Sequence, residues 1–89
     1  MSIQVIISFE VENFDKWKLG FESRQGRRTE AGIVAHPYQE LDKPNHVFIL
    51  ATTPSREVFH SFFTNPLQQA ARTDSGVLST PSVTFLEPN

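Results

Sequence analysis

The sequence of 89 residues predicts a single α+β domain with elements in the order strand, helix, strand, strand, helix, strand. Three observations support this order. Side chains from Ile3 to Val11 alternate between an apolar face and a mixed face, which is the period of a strand. Two later segments place apolar side chains at helical spacing. Pro and Asn between two further extended runs indicate a hairpin turn.

The first helix is predicted to follow directly after the first strand. Asn13 is a favourable N-cap residue, and Asp15 suits the positive end of the helix dipole. Gly32 is expected to end this helix in a left-handed conformation, after about 17 residues. Aromatic side chains at positions i, i+3 and i+7 form a stripe that should face the core: Phe14, Trp17 and Phe21.

The middle of the chain is predicted to form a hairpin. Ile33 to Leu41 are the second strand, the residues Asp42-Lys43-Pro44-Asn45 are the turn, and His46 to Thr52 are the third strand. Thr53 is then expected to cap a second helix, with Pro54 at its first position. The apolar stripe of this second helix comprises Val58, Phe59, Phe62 and Phe63.

The end of the second helix and the last strand complete the pattern. Asn65 and Pro66 either end that helix or recap it into a further turn. The residues of that recapped turn would be Leu67, Ala70 and Ala71. The last strand is expected over Val83 to Glu87.

Two interleaved strand–helix–strand units give a ferredoxin-like sheet of order 4-1-3-2 with both helices on one face. The prolines support this order, because Pro in a sheet is confined to edges and bulges. Pro37 and Pro81 lie in or beside the second and fourth strands, which are the edges of such a sheet. The predicted central strands contain no Pro.

Four segments carry a family resemblance: V-E-N-F-D-K-W-K-L-G-F-E at 11–22, R-R-T-E-A-G at 27–32, D-K-P-N at 42–45 and F-F-T-N-P at 62–66. Together they resemble the small dimeric α+β barrel proteins, which include antibiotic-biosynthesis-type monooxygenases and haem-degrading relatives. The resemblance implies one such domain over residues 1–89, clefts between the sheet and its own helices, and a homodimer through the sheet face and edge strands. That sheet face would hold Gln4, Ile6, Ser8, Glu10, Phe48 and Leu50.

One position departs from the family pattern. Monooxygenase-like members often place a histidine four residues before the proline that corresponds to Pro66, and this chain has Phe62 there. The nearest histidine, His60, is two residues away, which on a helix turns the side chain by about 200°. The departure argues against haem degradation.

Composition excludes several classes of function. Lys and Arg total 8 against 10 Asp and Glu, a formal net charge of −2 that does not favour nucleic acid. The chain has no Cys, which removes thiolate nucleophiles and thiolate metal sites. Its first apolar run, Val5-Ile6-Ile7, is far too short for a membrane span or a secretory signal, so we expect a cytoplasmic protein with no membrane partner.

We expect no metal and no cofactor. The three histidines fall on different predicted elements without ligand spacing, and there is no glycine-rich phosphate loop. His36 and Tyr38 share a strand face and could act together as proton shuttle and hydrogen-bonding partner. An edge-strand pair at a rim or dimer contact is the alternative. His36 and His60 are therefore the only catalytic candidates, and no covalent nucleophile is indicated.

Arg24 and Arg28 are the most informative candidates for ligand binding. They continue the aromatic stripe of the first helix by steps of three or four, so the face that begins aromatic ends basic. In one interpretation they close an apolar pocket suited to a small carboxylated or oxyanion-bearing aromatic compound, and the expected partner is a small apolar or carboxylated ligand. In the other they cap the helix end, or pair with Glu22, Glu30 or a subunit partner. The full set of predicted ligand-binding residues is Phe14, Trp17, Phe21, Arg24, Arg28, Tyr38, Phe59, Phe62 and Phe63.

Three functions remain open from the sequence. The leading hypothesis is a homodimeric small-molecule binding or accessory module. The first alternative is a cofactor-independent monooxygenase or cyclase that acts on an aromatic or polyketide-like substrate, with His36 or His60 as proton carrier. The second is a purely structural dimer. A cavity large enough for an aromatic ring, with a histidine and an arginine converging on it, would favour the enzyme.

Overall fold

The computed structural model describes residues 2–65 and 76–87, and these residues form four strands and three helices. The elements are β1 (Ile3–Glu10), α1 (Phe14–Ser23), α2 (Gln25–Glu30), β2 (Val34–Glu40), β3 (Lys43–Thr53), α3 (Arg56–Thr64) and β4 (Ser82–Leu86). None of the described helices is long and apolar enough to cross a membrane.

The four strands form one antiparallel sheet of order β2-β3-β1-β4. This is the predicted order read from the other edge, so the predicted ferredoxin-like topology is confirmed. In the centre of the sheet, Ile7 pairs with Ile49 on one side and with Val83 on the other. Pro37 lies in edge strand β2, and Pro81 directly precedes edge strand β4, as expected.

The core lies on one face of this sheet. Alternate side chains of β1 and β3 are buried there against the helices, because a strand turns every second side chain to the same face. Trp17 of α1 is only 2% exposed, and its ring centroid lies 5.5 Å from that of Phe9 and 5.1 Å from that of Phe21. The buried apolar residues are Val5, Ile7, Phe9, Val11, Trp17, Phe21, Ile33, Val47, Ile49, Ala51 and Phe59.

The single first helix of the prediction is in fact two helices that meet at Arg24. The Ser23 hydroxyl donates a hydrogen bond of 2.7 Å to the Gly20 carbonyl, which is the oxygen that would accept from Arg24 in a continuous helix. The Arg24 N–H bonds instead to the Phe21 carbonyl at 3.2 Å, which tightens the last turn of α1. The helix therefore restarts at Gln25 as α2.

Gly32 ends α2 as predicted, with φ of +75°. The Gly32 N–H bonds to the Thr29 carbonyl at 3.0 Å, and the Ile33 N–H bonds to the Arg28 carbonyl at 2.8 Å. This pair of bonds is the Schellman motif, which satisfies the last carbonyls of a helix and requires a left-handed residue. It directs the chain from α2 into β2.

The predicted hairpin turn is wrong in its position. The turn consists of Leu41 and Asp42, and β3 already begins at Lys43, which pairs with Glu40. Pro44 consequently lies in a central strand, contrary to the expectation that these strands contain no Pro. The sheet accommodates it because the β2–β3 register shifts at this point, and bulges are where a sheet tolerates Pro.

The start of α3 also differs from the prediction. Ser55, rather than Thr53, caps the helix, and its Oγ accepts from the Val58 N–H at 3.1 Å. Thr53 is fully buried at the end of β3, and its hydroxyl donates to the Ser55 carbonyl at 3.2 Å. The helix ends before Asn65, and the predicted recapped turn through Leu67, Ala70 and Ala71 lies outside the described residues.

The two glycines of this region give a matched test of stability. Gly32→Ala should destabilise the protein by about 1–2 kcal/mol, because an L side chain is strained in the left-handed region, and the new Cβ would lie 3.1 Å from Cγ of Pro54. Gly26→Ala should instead stabilise it by about 0.5–1 kcal/mol, because this helical position has open space around a Cβ. Urea denaturation at equal protein concentrations measures both changes. Two variants of equal stability would contradict this account.

Candidate functional site

A cavity of about 50 Å³ lies between the sheet and the three described helices. Its floor is the buried face of β1, β3 and β2, and its walls come from α1, α2 and α3. The residues that line it are Ile7, Phe9, Trp17, Phe21, Arg24, Arg28, Ile33, Ala35, Ile49, Ala51, Phe59, Phe62 and Phe63.

The aromatic wall on the α3 side follows from helical spacing. Phe62 and Phe63 follow Phe59 by three and four residues, so both lie on the same side of the helix as Phe59. The rings of Phe59 and Phe63 stack with centroids 5.3 Å apart, and Phe59 also meets Phe85 of β4 edge to face at 5.7 Å. These contacts fix α3 over the sheet and hold one side of the cavity in place.

Arg28 is the unusual member of the lining, because its charged side chain is only 4% exposed. Its guanidinium carbon lies 3.7 Å from the centroid of the Phe21 ring, and its Nη2 donates to Gln25 Oε1 at 3.1 Å. Its Nε is buried and has no hydrogen-bond partner among the described residues. Burial of a polar group without a partner costs free energy, so this nitrogen needs an explanation.

Two positively charged side chains, Arg24 and Arg28, line the apolar cavity. Burial, and then the neighbouring charge of Arg24, lower the pKa of Arg28. Burial, and then the charge of Arg27, lower the pKa of Arg24. Both guanidinium groups still carry their charge at neutral pH, because arginine does not lose its proton in proteins. No carboxylate is among the described residues that line the cavity.

The structure brings together most of the predicted ligand-binding residues. Seven of the nine line the cavity: Trp17, Phe21, Arg24, Arg28, Phe59, Phe62 and Phe63. Phe14 packs beside Trp17, with ring centroids 5.8 Å apart, but does not line the cavity. Tyr38 lies on the opposite face of the sheet and is 55% exposed.

The two catalytic candidates do not meet at the cavity. His36 is exposed and pairs with Leu50 on the face of the sheet away from the helices. His60 is exposed on α3, one residue beyond the buried Phe59. Any role for either residue therefore stays a prediction. Within the described residues, no cluster of three or more His, Asp or Glu side chains could hold a metal ion.

The floor of the cavity consists of residues that were not predicted to bind a ligand. Those lining residues come from the sheet and the segment before β2, and the alternation in β1 had already placed Ile7 and Phe9 on the core face. That alternation was the available signal, but it does not distinguish a core residue beside a void from one in a filled core. The unpredicted lining residues are Ile7, Phe9, Ile33, Ala35, Ile49 and Ala51.

The opposite face of the sheet is exposed and partly apolar. Leu50 at its centre is 41% exposed, and Ile6 and Phe48 beside it are half-buried. At one end of this face His46 Nδ1 lies 3.0 Å from Glu40 Oε1, and the His46 ring packs on Phe48 with centroids 4.7 Å apart. None of the described helices and loops covers this face of the sheet.

Known structures with this fold were found by comparison of coordinates. SnoaB, a cofactor-independent oxygenase from Streptomyces nogalater, superposes with a TM-score of 0.74 at 15% identity, over 99% of this chain and 95% of that one. A conserved protein from Methanosarcina mazei Go1 gives 0.77 at 13% identity, over 100% and 94%. A structure described as an antibiotic biosynthesis monooxygenase gives 0.76 at 9% identity, over 98% of each chain.

Sequence comparison adds nothing to these structural matches. No protein-family model matches the chain, and no curated protein matches it by sequence. At such low identities a structural match establishes the fold, and chemistry has to be argued from the site. The chain therefore has the ferredoxin-like fold of antibiotic-biosynthesis-monooxygenase-type proteins, as the resemblance of its motifs implied.

Proposed function

We propose that this protein is a homodimeric binding module that holds a small molecule in the cavity between its sheet and its helices. The observation that carries the proposal is the buried guanidinium of Arg28, which faces an apolar cavity without a charged partner in the described residues. Protein interiors are normally close-packed, and a void beside an unneutralised charge costs stability. A bound molecule would recover part of that cost.

The volume of the cavity supports binding of a compact group. Engineered cavities that bind benzene have a volume of about 150 Å³, whereas this cavity has about 50 Å³. An aromatic or polyketide-like molecule would need α2 and α3 to move apart. A group of a few non-hydrogen atoms fits without that movement.

The positions of the histidines also support binding over catalysis. A general base must come within about 3 Å of the proton that it removes. His36 faces the other side of the sheet and His60 is exposed on α3, so neither lies beside a molecule in the cavity. The likeness to a cofactor-independent oxygenase is the observation that favours the enzymatic alternative, a monooxygenase or cyclase.

We propose further that the exposed face of the sheet is the contact between the two subunits. Apolar side chains stand at its centre and edges, and contiguous apolar surface of this kind marks an interaction site. A domain of this size also gains stability from a partner, because it buries a modest core of its own. The exposed or half-buried apolar residues of this face are Ile6, Val34, Tyr38, Phe48, Leu50 and Leu86.

Filling the cavity should abolish binding. Ala35→Val adds two methyl groups to the cavity floor at a strand position, where Val is favourable. We expect native mass spectrometry to show a small-molecule adduct, either co-purified or taken up from a fragment library, on the wild-type protein but not on this variant. Ala31→Val, the same change at a residue outside the cavity lining, should keep the adduct. A wild-type protein that takes up no fragment would contradict the binding proposal.

A charge at the centre of the exposed sheet face should separate the subunits. Leu50→Glu places a carboxylate where the two sheets would meet, and burial of an unpaired charge is costly. We expect light scattering at micromolar concentration to give the mass of a dimer for the wild type and of a monomer for this variant. Leu41→Glu is the matched control, because Leu41 lies in the hairpin turn and is 99% exposed. A monomeric wild-type protein would contradict the dimer.

A further inference from the structure

The chemistry of the ligand follows from the side chain of Arg28. Its Nη2 has a neutral partner in Gln25, and its flat face packs on Phe21. Its Nε–H remains without a hydrogen-bond partner in the described part of the chain, although the atom is buried. A buried donor on a cation is best satisfied by an anionic acceptor.

From this arrangement we infer that the cavity binds a compact organic monoanion, a carboxylate on a short apolar group, with the Nε–H of Arg28 as a donor to the carboxylate. The inference rests on the proposed function, since it names the ligand class of that same cavity. The side chain of Arg24 also lines the cavity. A planar guanidinium offers Nε–H and Nη–H to a carboxylate in a side-on pair, a geometry that lysine cannot provide.

The rest of the lining selects against other anions. Apart from the two arginines, the only side-chain donor among the described lining residues is the indole N–H of Trp17, so they offer few donors for the further oxygens of a phosphate or a sulfate. An apolar lining instead favours a ligand that covers it with carbon atoms. A volume of about 50 Å³ limits that carbon group to a short alkyl chain.

Acetate and its neutral analogue acetamide make a direct test. The two molecules have nearly the same shape and differ in charge at the head group. We expect acetate to raise the melting temperature of the wild-type protein in a saturable way, and acetamide and inorganic phosphate to leave it unchanged. Sodium chloride at the same ionic strength controls for general salt effects.

Three arginine variants assign the effect to the residue. Arg28→Met keeps a long flexible side chain over Phe21 but removes the charge, and should lose the acetate shift. Arg28→Lys keeps the charge without the side-on donor pair, and should weaken acetate binding at least tenfold by calorimetry. Arg27→Gln removes the same charge one position earlier, outside the cavity lining, and should retain the shift. If Arg28→Met does not fold, Arg28→Lys still tests whether the side-on donor pair of Arg28 binds the carboxylate.

The outcomes separate this inference from the proposed function. Equal shifts by acetate and acetamide would leave a binding cavity but overturn the carboxylate inference. Unchanged affinity of Arg28→Lys for acetate would overturn the assignment to the Nε–H. No response to acetate, with uptake of neutral fragments by the wild-type protein, would overturn the inference alone. No uptake of any compound would overturn the binding function itself.

Discussion

The packing of Trp17 against the central strand is the contact on which the rest of the structure depends. The Trp17 ring packs edge to face on Phe9 of β1, and it also packs on the ring of Phe21, four residues further along α1. Because β1 has a neighbour on each side, an aromatic anchored on it fixes the helix across the middle of the sheet. In a domain with a modest core, one large buried ring supplies an important share of the apolar contact.

The basic end of the same helical segment depends on that anchor. Phe21 gives Arg28 a ring to lie on, and the break at Arg24 restarts the helix one residue later as α2. The carbonyl of Arg28 then closes the Schellman motif that leads the chain through Ile33 into β2. The backbone of Arg28 thus has a structural role in that motif, whereas its buried guanidinium takes no part in it. The guanidinium packs on Phe21 and bonds to Gln25, and its Nε–H, which has no partner among the described residues, is the group that we assign to a ligand.

Element order and sheet topology were predictable from the sequence, because alternation, capping residues and prolines all act locally. The predictions that were wrong concern positions where two local signals compete. Thr53 and Ser55 are both good caps, and Ser55 caps the helix because Thr53 is buried as the last residue of β3. The break at Arg24 arises from a Ser23 hydroxyl that bonds a backbone carbonyl, a choice that residue spacing does not reveal. The cavity could not be predicted either, since its floor consists of apolar residues that the sequence does not distinguish from ordinary core residues.

The alternation of β1 places the two surfaces of interest on opposite sides of one strand. Ile7 lies against the cavity, whereas Ile6 and Ser8 face the exposed side that we assign to the second subunit. A dimer built on that face would cover His36 and Tyr38 with the partner without bringing them to the cavity. Proton transfer by His36 would then require a substrate between the two sheets, where the apolar side chains of the proposed subunit contact stand. A ligand in the cavity would instead meet apolar side chains and the buried guanidinium of Arg28, so the proposed binding depends on these groups alone.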